Sequence, residues 1–179
     1  LDANLYTNRL SVSLGDVMAQ YYDTRTTSNH NFNSLATFDV QAKKDAVKDV
    51  WKRAYFLIPN VNIILSHCES DRGPLTQKGY QIVKGEAYAL RALLHFELFR
   101  IFGPVYSQDP GYVCMPYMDE EDPAVLPLET ARVIVGRILE DLKSAEDLLA
   151  GHDSVITDGK QDTDEGVVNR YRYRNMRMN

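Results

Sequence analysis

The chain is poor in the residues that would tie it together covalently or break it into short pieces. It has two cysteines in 179 residues, Cys68 and Cys114. They are 46 positions apart, with no CxxC partner and no clustered histidines, so neither a zinc site nor a disulfide framework can be read. Ten glycines and seven prolines are few for this length, and alternating apolar and polar runs are scarce, which argues against an all-β chain. No stretch approaches the run of about 18 apolar residues that a spanning helix needs. Basic residues are outnumbered 25 to 20, a net charge of −5, which argues against nucleic acid bound through a broad basic face. The opening residues Leu1 to Tyr6 carry no initiator Met, basic region or apolar targeting core, so the chain reads as an interior piece.

What remains is helical periodicity, and 44% hydrophobic content is enough for a real core. A first helix is expected over about 4–22, with Leu5, Leu10, Leu14, Val17, Met18 and Tyr21 on one face. The polar stretch DTRTTSNHNFNS that follows reads as a surface loop, since short polar side chains bond their own backbone and compete with a helix. A second helix is expected over about 40–68, broken or kinked at Pro59, with Asn60 and Asn62 serving the freed backbone groups. Its apolar face includes Val50, Ala54, Ile58, Val61, Ile64 and Leu65, and Trp51 reads as core.

The third helix, about 76–102, is the most informative. At 100° per residue it has two apolar sectors separated by narrow polar seams, one with Glu86, Glu97 and Arg100, the other with Lys84, Arg91 and His95. Such a helix must be packed on two sides, and Gly85, Ala89 and Ala92 allow a neighbour to approach closely. A long loop then spans 103–129. A fourth helix begins at the N-cap Thr130 and runs to Ala150, with Ala131, Ile134, Ile138, Leu142, Ala145 and Leu149 buried. On its charged face Arg137 and Asp141 sit four apart. Residues 151–170 are acid-rich and read as a further loop, and the Arg/Tyr-rich end stops without helix-ending residues.

No catalytic constellation can be assembled. Glu86 and Glu97 share one helix, whereas glycosidase acids converge across a cleft from separate elements. Glu97 reads instead as a salt-bridge partner of Arg100, and Arg91 with His95 as structural polar packing. Neither metal nor cofactor is called for.

The stretch Lys84 to Val105, KGEAYALRALLHFELFRIFGPV, resembles the SusD/RagB family pattern GEAxxLRAxxxFxLxRxFG with a short Pro/Val run behind it. Upstream, Trp51, Tyr55, Asn60-Val61-Asn62 and Leu65 are similar to that family's preceding helix, and Thr130 to Leu149 is similar to its following one. Val133 stands where the family has a glutamate three residues after the cap, so no reciprocal capping box can form. Independently, Ala92, Phe96 and Pro104 fall at the spacings of a tetratricopeptide second helix.

The resemblance implies an all-α, tetratricopeptide-like scaffold of helical pairs (an α-α superhelix) with long loops. Residues 1–179 would be a single, incomplete helical domain with loops at about 23–38, 103–129 and 151–170. It further implies a surface-exposed outer-membrane lipoprotein whose anchor lies outside this chain. Such a protein binds a glycan and works with a SusC-like TonB-dependent transporter. Sugar sites need aromatic faces beside amide, guanidinium and hydroxyl groups, which places the candidate ligand-binding residues at Tyr22, Arg25, Asn29, His30, Asn31 and Phe32. Tyr106, Tyr112 and Tyr117 form a second such set. The alternative is a tetratricopeptide-like protein–protein interaction scaffold without sugar binding.

Overall fold

The computed structural model describes residues 14–21, 34, 39, 41, 44–70, 73, 75–121, 125–150 and 152. Among them lie helices α1 (Leu14–Met18), α2 (Lys44–Ser70), α3 (Gln77–Phe102) and α4 (Ala131–Leu149). The strands are β1 (Val113–Met115) and β2 (Glu129–Thr130). Among the described residues the fold is all-α, with only this small two-stranded antiparallel sheet between α3 and α4.

The helix starts follow their caps. The Thr76 hydroxyl accepts from the Gly79 amide and the Thr130 hydroxyl from the Val133 amide, each satisfying one of the donors that a first turn leaves open. Gly103 closes α3 by donating its N–H to the Phe99 carbonyl. α1 ends with Gln20 in the left-handed region, φ 59°, and with the Tyr21 amide bonded to the Asp16 carbonyl. The expected first-helix face is only partly met. Val17 is buried, but Tyr21 lies beyond the helix and is 77% exposed.

Pro59 does not break α2, which runs unbroken to Ser70. Asn60 Nδ2 donates to the Phe56 carbonyl one turn back and not to the Tyr55 carbonyl that Pro59 leaves without its helical donor, and Asn62 turns inward to a different role described below. Ile64, expected in the core, is 43% exposed.

α3 is the central element. Trp51 stands edge-on to Phe102 at 4.8 Å, and Arg91 bonds Asn62, so α2 runs antiparallel along one side. On the other side Gly85 meets the end of α4. A Cβ at that position would come within 2.7 Å of the Leu149 side chain, so the helices touch where a glycine lets them. The core is continuous across this stack, with Ile58, Leu94, Leu98, Met115 and Ile134 almost fully enclosed. Burial on two sides is thus observed, although Phe96 in the second apolar sector remains 38% exposed.

The stripe on α4 turns at one position from its expected course. Ala131, Ile134, Ile138 and Ala145 are buried as expected, but Asp141 replaces Leu142 on the inner face and Leu142 is 44% exposed. The reason is electrostatic: Asp141 meets a buried arginine of α3. Among the described residues no helix is long and apolar enough to cross a membrane.

Candidate functional site

The seam at Arg91 and His95 is not a gap between apolar sectors but a third packed surface, covered by the segment following β1, whereas Lys84 pairs with Glu69 of α2. Arg91 lies at its centre. Its Nε and Nη2 donate to the two carboxylate oxygens of Asp141, both at 2.7 Å, and Nη1 donates to Asn62 Oδ1 at 3.1 Å. This fork-to-carboxylate geometry suits guanidinium and satisfies both buried charges. Burial works against the charge on Arg91, but the hydrogen bond and charge of Asp141 outweigh it and raise the pKa.

Asn62 relays the network to the loop. Its Nδ2 donates to the carbonyls of Met118 and Glu120, at 3.2 and 2.8 Å. The Tyr117 hydroxyl donates to Asp141, and its ring stacks on the His95 imidazole with centroids 3.9 Å apart. Burial first, and then the neighbouring carboxylate, push the Tyr117 phenol far above its usual range, so it remains a neutral donor.

His95 is fully enclosed and its tautomer is fixed by its neighbours. Nε2 accepts the Met118 amide at 3.0 Å, and Nδ1 lies 3.0 Å from the Arg91 carbonyl, which can only accept, so the proton sits on Nδ1. Burial pulls the pKa down to about 4, and the nearby Arg91 charge acts in the same direction. A second tie joins the same loop to α2, where the Tyr55 hydroxyl donates to the Pro116 carbonyl at 2.7 Å.

Every polar group in this cluster faces another protein group. The arrangement holds no acid poised above a cavity and no nucleophile beside a base, and chemically it is a clamp that fastens residues 115–120 onto the helices. Tyr117 is therefore a pin and not a sugar platform. Tyr106 and Tyr112, the other members of that set, are 42% and 53% exposed on the turn before β1. Trp51 is half-buried against the core, and Glu97 pairs with Arg100 at 2.9 Å, both as expected. Arg137 does not pair with Asp141, which α3 has claimed, but with Asp119 at 3.1 Å.

Beside the clamp lies a cleft of 410 Å³ between α2, α3 and the turn at 119–121. Asn62, Ser66 and Glu69 reach it from α2, Tyr88 and Arg91 from α3, and Glu120 and Glu121 from the turn. The Tyr88 ring lies 5.3 Å from the Arg91 guanidinium, and its hydroxyl is 3.5 Å from Glu69. This cleft is not legible in the sequence, because its walls come from separate elements. Its available signals were Asn62 and Asp141, polar residues at positions that belong to apolar stripes, and Arg91 on a polar seam between two apolar sectors.

The candidate ligand residues Tyr22, Arg25, Asn29, His30, Asn31 and Phe32 lie outside the described residues. Among the described residues, no group of three or more His, Cys, Asp or Glu could hold a metal ion, and Cys68 and Cys114 are free thiols. Burial raises the pKa of each thiol, which keeps them protonated and poorly nucleophilic.

Residues 4–158 match the model of the SusD-like family described as "Starch-binding associating with outer membrane". No curated protein sequence matches the chain.

Proposed function

Because the chain belongs to the SusD-like family, a family of starch-binding proteins associated with the outer membrane, we propose that it captures oligosaccharide outside the cell and hands it to a SusC-like TonB-dependent transporter. The family match over residues 4–158 is the observation that carries this reading. Capture is reversible and leaves the glycan chemically unchanged. The protein is held at the cell surface by an N-terminal lipid, and residues 1–179 act as one helical domain.

Three features of the chain support a binding role. The helices form a scaffold whose buried Arg91, His95 and Asp141 are engaged with other protein groups. The clamp holds the 115–121 segment in one place, and preorganised surfaces lose less freedom on binding. The turn before β1 carries exposed tyrosines, and the polar loop with Tyr22, Arg25, Asn29, His30, Asn31 and Phe32 supplies stacking and hydrogen-bonding groups of the kind sugars need. We assign those six residues to the primary ligand contact.

The reading is tested by a glycan array probed with the full chain, followed by co-purification with the transporter barrel from a native membrane. Retention of an oligosaccharide, lost on Phe32→Ala or Tyr22→Ala, is the expected result. Capture of the barrel without any glycan on the array would favour the interaction-scaffold alternative.

A further inference from the structure

The cleft between α2, α3 and the 119–121 turn has the size of a small-ligand site, since such sites span about 300–1,000 Å³ and this one measures 410 Å³. Its charges decide what it can hold. Among the described residues, the cations at or beside it are already paired: Arg91 with Asp141 at 2.7 Å, Lys84 with Glu69 at 3.5 Å, and Arg137 with Asp119 at 3.1 Å. At its mouth Glu120 and Glu121 are exposed and, among the described residues, neither is ion-paired. Asn62 has its amide nitrogen and its oxygen engaged with the loop and with Arg91.

The groups left for a ligand are therefore mainly acceptors, with the Ser66 hydroxyl and the Tyr88 ring beside them. Ionised carboxylates accept hydrogen bonds and cannot donate them, and an unbalanced pair at a cleft mouth repels anions. A ligand that fits must be rich in donors and free of negative charge. Sugar hydroxyls meet the first condition, and an ammonium group adds attraction to the second.

We propose that this cleft is a saccharide subsite that takes units bearing no negative charge, prefers an amino sugar to a neutral hexose, and excludes uronate-bearing chains. The proposal rests on the glycan-binding reading and narrows it to a place and a charge class.

The experiment titrates the full chain with three probes in one low-salt buffer: maltoheptaose, a glucosamine hexamer and an oligogalacturonate. The expected order of affinity is glucosamine oligomer, then maltoheptaose, then oligogalacturonate, with the last at least roughly tenfold weaker than maltoheptaose. Ser66→Trp, which fills the cleft, should weaken maltoheptaose by about tenfold or more. Charge reversal at two exposed positions, Glu120→Lys with Glu121→Lys, should invert the order of the two charged probes, and this variant decides alone if Ser66→Trp does not fold. Equal affinity for maltoheptaose and oligogalacturonate, or a ranking unchanged by charge reversal, overturns the proposal. Maltoheptaose binding that ignores a folded Ser66→Trp protein also overturns it, while leaving glycan binding itself standing. Failure of all three probes to bind overturns the subsite and the broader reading together.

Discussion

Arg91 and Asp141 carry much of the architecture, and their pairing shows why a buried charge is safe only in company. Taking two ions from water costs several kcal/mol each, and the two bonds of 2.7 Å repay this only while both partners are present. Asp141→Ala leaves an uncompensated guanidinium and should cost about 3–5 kcal/mol in chemical denaturation. Arg91→Met with Asp141→Leu should recover most of that loss. His95 makes a second prediction, in pH. Its folded pKa is near 4, against an ordinary 6.5, so the unfolded chain takes up the proton first. Stability is complete above about 6.5 and falls as the pH drops towards 4, by about 3 kcal/mol in all. Melts across that range should show the decline, and His95→Gln should flatten it. None of these partnerships was legible in the sequence. Arg91 and His95 could be read as structural polar packing, but their partners lie 50 and 23 residues away and depend on tertiary register. For the same reason the near neighbour Arg137 looked like the partner of Asp141 and is instead bound to Asp119.

The helices themselves were the legible part, because each long one carries its own periodicity, and α3 and α4 their threonine caps as well. Thr130 caps α4 without a capping box, as the absence of a glutamate at Val133 requires. The double-sided α3 followed from its two apolar sectors, and Gly85 from the small residues among them. What the periodicity could not show is that Pro59 stays inside a continuous α2, since a long amphipathic face holds a helix together across one missing hydrogen bond. Nor could it show that the 103–129 connection enters the core through Met115, Tyr117 and Met118. Gly85 provides a test of sign. In an isolated helix Gly→Ala gains about 1 kcal/mol, but here the new Cβ would lie 2.7 Å from the Leu149 side chain. Gly85→Ala should therefore lower stability, by about 1–2 kcal/mol, in a thermal melt. A rise in stability would mean that α3 and α4 do not meet at that point.

On the scale of the whole molecule, the helical stack fastens the segment after β1 onto α2, α3 and α4 through Tyr55, Asn62, His95 and Asp141. The candidate ligand residues at 22–32 rest on chemistry alone, an aromatic and amide-rich sequence that lies outside the described residues. The cleft beside the clamp was not legible, because its walls come from two helices and a turn far apart in sequence. The chain belongs to a family of starch-binding proteins, and the proposed capture role leaves the glycan intact. The most direct check is a calorimetric titration of the full chain with maltoheptaose, with reducing ends assayed in the same samples. Saturable heat and a reducing-end count that does not rise with time are expected. No heat of binding, or a steady release of new reducing ends, would contradict the capture role.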